Sequence, residues 1–159
     1  HPDRRAGETL ERPLTLLLDE ALRAPNAADR FQRLRVIGDG VLYGCGFFSD
    51  HFEARGVDVK YLRGLGTRAY GEAGSMLRRA PAEEGVRGPD LFAELASNFD
   101  QFVSVLTDVA DATVATGIES SRGLLKVYER WLKTGSDRLA SALTSHGVMP
   151  TRGPKGTVQ

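Results

Sequence analysis

The chain has 159 residues, 41% of them hydrophobic and 26% charged, and its 21 basic and 21 acidic residues cancel to zero net charge at pH 7. The balance holds by halves (13 basic and 11 acidic in residues 1–80, 8 and 10 in 81–159), which leaves no basic field to draw nucleic acid or an anionic lipid surface. One cysteine, Cys45, excludes an internal disulfide framework and a thiolate-rich metal site, and no apolar run is long enough to predict a membrane span.

In "ETLERPLTLLLDEALRA", Leu10, Leu14, Leu17, Leu18, Ala21 and Leu22 recur at helical spacing. Pro13 suits a first turn and Pro25 a stop, so a helix is predicted over 12–23. "HPDRR", which precedes it, is set aside from the fold reading. Asn26 reads as the N-cap of the next element, with Asp29 favourable in its first turn.

"VIGDGVLYGCGFF", residues 36–48, holds four glycines among apolar residues, and two structures compete for it. Asp-Gly between β-formers is a strong hairpin signal. As a helix, four glycines would cost about 2–4 kcal/mol relative to alanine, to be recovered by packing. The angles favour a helix over 27–48. At about 100° per residue, Phe31, Leu34, Gly38, Val41, Leu42 and Cys45 share one arc, and Ile37, Gly40, Gly44 and Phe48 form an adjacent row. A lone two-stranded hairpin would also have no other strands to join. Gly40, Gly44, Phe47 and Phe48 are then the expected places of close helix packing or an interface. A phosphate loop is excluded, because the segment matches neither G-x-x-x-x-G-K-[ST] nor G-x-G-x-x-G.

"SDHFEARG" either continues this helix or starts a short one, with Gly56 as the stop. Asp58 is the expected N-cap of a helix over 58–79, whose stripe of Leu62, Leu65, Gly66, Ala69, Ala73, Met76 and Leu77 is rich in small residues. "APAEEGVRGPD" reads as a surface loop near 80–90. A helix over 90–112 carries Phe92, Leu95, Phe99, Phe102, Leu106 and Val109 by threes and fours. Thr116 and Glu119 have capping-box spacing for a helix over 118–134, with Leu124, Leu125, Tyr128, Trp131 and Leu132 inward and Gly135 at its end. Ser136 caps a last helix over 137–146, with Gly147 after it, and residues 151–159 read as a flexible tail. The prediction is an all-α, single-domain bundle of five to six helices spanning residues 1–150.

Catalytic chemistry is sparse. Asp39, Asp50, His51 and Glu53 form a weak polar cluster, but successive residues of a helix point apart and do not converge on a metal by themselves. No E-x-x-H pair or G-x-S-x-G elbow occurs. Cys45 lies on the apolar stripe rather than in an electropositive, accessible setting. His146 suits the C-terminal end of a helix. No catalytic residue, metal or cofactor is assigned, and the composition fits a reducing compartment, most simply the cytoplasm. The favoured function is a non-enzymatic module for protein–protein contact, with a protein partner or a second copy. The alternative is a carrier of an apolar small molecule in a pocket built from Tyr43, Phe92, Phe99 and Phe102.

Overall fold

The computed structural model describes residues 2–80 and 90–151, with side chains from residue 13 onward. Every regular element among them is an α-helix: α1 (Pro2–Arg23), α2 (Ala27–Ala54), α3 (Val59–Arg79), α4 (Leu91–Ser97), α5 (Phe99–Thr116), α6 (Ser121–Thr134) and α7 (Asp137–Ser145). The all-α expectation therefore holds, with seven helices among the described residues rather than five or six. The predicted loop lies, apart from Ala80 and Asp90, outside the described residues, as does the predicted tail beyond Thr151.

Local signals set most of the boundaries. Asn26 Oδ1 accepts from the backbone N–H groups of Ala28 at 2.9 Å and Asp29 at 3.2 Å, satisfying donors that the first turn of α2 leaves open. Asp58 caps α3 through Tyr61 N, and Ser136 caps α7 through Leu139 N. Gly56, Gly135 and Gly147 follow α2, α6 and α7 with φ of 74°, 66° and 79°, a left-handed turn that glycine adopts without steric cost. His146 Nδ1 lies 2.9 Å from Ala142 O, at the end of α7 where it was expected.

Four expectations need correction. Pro13 lies inside α1, which begins at Pro2, since nothing between the two breaks a helix. The 90–112 helix is two helices, separated at Asn98, whose backbone leaves the helical region and whose side chain bonds Glu94 O and Glu94 Oε1. The cap of α6 is Ser120, through Gly123 N at 3.1 Å, and not Thr116, which closes α5 by bonding Thr113 O. Leu17 on α1 and Leu125 and Leu132 on α6 were read as inward but are exposed.

The chain divides into two compact units, residues 1–106 and 107–159, with the division inside α5. In the first unit α2 packs against α1 and α3, and α3 against α4. The neighbouring pairs Gly38 with Tyr70 and Val41 with Gly66 run in opposite chain directions, so α2 and α3 are antiparallel. Leu18, Ala21, Leu34, Val41, Cys45, Leu62, Leu65, Ala69, Tyr70, Phe99 and Val103 form the core of this unit. In the second unit Ile118, Val127, Trp131, Leu139 and Leu143 form a separate core. Arg130 reaches across that unit to Asp111, Nε to Oδ1 at 2.7 Å, with Asp111 almost wholly buried.

Candidate functional site

The glycine-rich stretch is helical up to Phe47, so the hairpin reading falls. The helix turns sharply at Phe48 (φ −129°, ψ 21°), and its last residues continue to Ala54 beyond that kink. Two contacts accompany the bend. A Cβ on Gly44 would stand 3.1 Å from the Phe52 ring, and one on Gly46 would overlap Leu106 of α5. A kink next to Gly-x-Gly, where side chains from elsewhere press onto the helix, has an identifiable steric cause.

The glycines divide sharply by what faces them. Gly38 lies under the Tyr70 ring, Gly44 under Phe52 and Gly46 under Leu106, while Gly66 on α3 receives Phe99 and Val41. Gly40 was expected to pack closely too. No atom of the chain lies within 4 Å of where its side chain would stand, and it is exposed.

Gly40 sits on the outer face of α2. At about 100° per residue, Asp29, Gln32, Val36, Gly40, Tyr43 and Phe47 fall within one arc. Val36 is 66% exposed, Tyr43 56% and Phe48 47%, and Leu17 on α1 is 52% exposed. Tyr43 stacks on Phe47 at 4.7 Å between centroids and packs against Phe48 at 5.9 Å, giving a ridge of three rings. Beside it, Leu17, Gln32, Arg33, Val36 and Ile37 line an open, almost wholly apolar groove of about 260 Å³. The charges at its rim are paired within α2: Arg33 with Asp29 at 2.9 Å, and Arg35 with Asp39 at 3.5 Å. Single exposed apolar residues are ordinary, but a three-ring ridge and an apolar groove along one helix mark a candidate interaction surface.

The aromatic residues expected to line a pocket separate into two groups. Phe92 packs on Phe31 at 5.2 Å and on Tyr70 at 6.0 Å, and Phe99 packs on Tyr70 at 5.9 Å. Phe102 is half-buried. Among the described residues, the ring contacts of Tyr43 are to Phe47 and Phe48 instead.

The polar cluster is spread as well. Asp39 accepts a 2.7 Å hydrogen bond from the Tyr70 hydroxyl, whereas Asp50, His51 and Glu53 stand beyond the kink. Glu53 borders an open polar depression of about 630 Å³ with Val59, Lys60, Arg63, Gly64, Thr67 and Asp100. Its two cations and two carboxylates cancel. Among the described residues no three His, Cys, Asp or Glu side chains gather as a metal site requires.

Cys45 is fully buried and adjoins Arg63. Burial pushes its thiol up from 9.0 to about 11, outweighing the Arg63 guanidinium, which pulls the other way. The Arg63 Nε is itself buried without a hydrogen-bond partner. A neutral, enclosed thiol is a poor nucleophile. Burial, and then the bond to Asp39, likewise push the Tyr70 phenol above its ordinary range.

Both groups are therefore held protonated in the fold, and the sign follows. Their contribution to stability is constant below pH 9, and for Cys45 it is lost as pH rises from 9 towards about 11, because only the unfolded chain ionises there. Urea titrations across pH 8–11 should show stability falling above pH 9, and native Cys45 should resist alkylation until denaturant is added. Rapid labelling of the folded chain at pH 8 would contradict the burial argument.

Tyr43, Phe47 and Phe48 were legible as candidates through the glycine-rich segment itself. Leu17 was not, since it reads locally as core, and Val36 was not, since it falls outside the apolar arc and its adjacent row.

No protein-family model, no curated protein and no solved structure matches this chain.

Proposed function

We propose that the chain is a non-enzymatic helical interaction module whose contact surface is the outer face of α2 with the adjoining edge of α1. The observation that carries this reading is the pairing, along α2, of the open apolar groove at Leu17, Val36 and Ile37 with the exposed ring ridge of Tyr43, Phe47 and Phe48 about two turns further on, with the open position at Gly40 between them. Covering it removes apolar area from water without breaking any ion pair, because the rim charges are already paired. The alternative, a carrier of an apolar small molecule, has less support. The groove of about 260 Å³ is open and falls below the roughly 300–1,000 Å³ of ordinary ligand pockets.

A photo-crosslinking amino acid placed at position 36 or 43 in the native cell tests the reading. Both positions should give adducts of defined protein mass, while the exposed Glu20 on α1 should not. Absence of adducts at 36 and 43, or the same adducts from Glu20, would overturn it.

A further inference from the structure

We infer that the occupant of this face is a second copy of the same chain, docked through an antiparallel two-fold crossing of α2 on α2 centred at Gly40. The inference rests on the interaction reading above and adds the identity of the partner.

The first argument is the glycine. At an exposed position inside a helix, glycine is about 1 kcal/mol less favourable than alanine. Gly38, Gly44, Gly46 and Gly66 have a reason within the chain, a ring or side chain occupying the space of a Cβ. Gly40 and Gly64 have none, as nothing stands within 4 Å of either. Of the two, Gly40 is the one that lies on a helix face between the exposed Val36 and Tyr43. A close approach from outside the chain supplies the missing reason.

Shape is the second argument. A two-fold interface requires one patch to carry both a projection and the recess that receives it. This patch does. Tyr43, braced by Phe47 and Phe48, projects, and the apolar groove lined by Leu17, Gln32, Arg33, Val36 and Ile37 lies about two turns earlier on the same helix. In an antiparallel crossing centred on residue 40, position 43 of one helix falls opposite position 37 of the other. Tyr43 of each copy then lies over the groove at Val36 and Ile37 of its mate, and the crossing itself is glycine on glycine.

Charge is the third. The chain carries no net charge, so two copies meet no long-range repulsion, and a strongly basic or acidic partner would find no complementary field. Asp29 with Arg33 and Arg35 with Asp39 are neutralised locally, so that facing copies bring no unpaired charge together.

Area is the fourth. Wholly covered, the exposed parts of Leu17, Val36, Tyr43, Phe47 and Phe48 amount to at most roughly 500 Å² per copy, or about 1,000 Å² for the pair, the lower bound of a specific interface. A reversible dimer is expected, not an obligate one.

Sedimentation equilibrium on the purified full chain decides this. From about 1 µM to about 200 µM the wild type should pass from monomer to dimer and no further. Gly40→Leu should weaken the association at least about tenfold, while the dilute monomer keeps or raises its melting temperature, as leucine is the better helix former and meets no atom of its own chain. Tyr43→Glu, on an exposed site, should weaken it similarly and leave the helical circular dichroism unchanged. A wild type that stays monomeric throughout, or a dimer indifferent to both variants, overturns the inference. Crosslinks from positions 36 and 43 to a different protein would then leave the interaction reading standing, and their absence would remove both.

Discussion

Gly38→Ala and Gly66→Ala should each destabilise the chain by about 1–3 kcal/mol, although alanine is the better helix former by about 1 kcal/mol. The reason lies in how α2 and α3 pack. A Cβ on Gly38 would stand 2.5 Å from Tyr70 Cε1 and 2.6 Å from Cδ1. The Tyr70 ring has little room to retreat, being buried, set against Phe92 and Phe99, and tied to Asp39 through its hydroxyl. A Cβ on Gly66 would stand 2.5 Å from Phe99 Cζ and 2.9 Å from Val41 Cγ1, both in the same core. Each helix thus offers the other a bulky residue and a space: Tyr70 enters over Gly38, and Val41 over Gly66. Overpacking strains such a contact more than the gain in propensity offsets. Gly64 provides the control. It lies on α3 with nothing within 4 Å, so Gly64→Ala should stabilise by about 0.5–1 kcal/mol. Urea denaturation of the three variants measures the signs. Stabilisation by Gly38→Ala would mean that the Tyr70 ring yields freely, which would refute the account of this crossing.

The same glycines show where sequence reasoning reaches and where it stops. The caps at Asn26, Asp58 and Ser136, and the turns after α6 and α7, were legible because each is settled by a few adjacent residues. The helical state of 36–47 was legible by arithmetic, as its apolar residues share an arc and the sequence predicts no other strands for a hairpin to join. The kink at Phe48 was not, since its causes, Phe52 folding back on Gly44 and Leu106 pressing on Gly46, depend on tertiary placement. The break at Asn98 was hidden for the opposite reason. Phe92, Leu95, Phe99 and Phe102 keep their helical spacing straight across it, so the stripe reads as one helix. Gly40 is the most informative case. Spacing alone grouped it with Gly44 as a contact position, and periodicity cannot tell whether the neighbour belongs to the same chain. The structure shows that within the chain Gly44 has one and Gly40 has none.

A buried ion pair ties α5 to α6 in the second unit, and Asp111→Ala should cost about 3–5 kcal/mol. Asp111 on α5 and Arg130 on α6 are 19 residues apart and meet at 2.7 Å, with side chains only 2% and 15% exposed. Neither charge was legible as special in the sequence, where both resemble ordinary helix-surface residues. Removing the carboxylate takes the 2.7 Å partner away from a guanidinium that is largely out of water, and that desolvation penalty dominates the loss. The unit can absorb little of it. It spans residues 107–159, and its core is five buried residues, Ile118, Val127, Trp131, Leu139 and Leu143. Cores of that size leave a small margin of stability. Trp131 in that core is the chain's one tryptophan, so its fluorescence reports on this unit selectively. In Asp111→Ala, the tryptophan transition should move to markedly lower urea, ahead of the loss of helical circular dichroism from residues 1–106. Asp111→Leu combined with Arg130→Met should recover most of the stability, because an apolar pair of similar volume removes the buried guanidinium together with the carboxylate. If the double variant is no more stable than Asp111→Ala, the penalty does not come from the buried charge, and the pair's role is geometric.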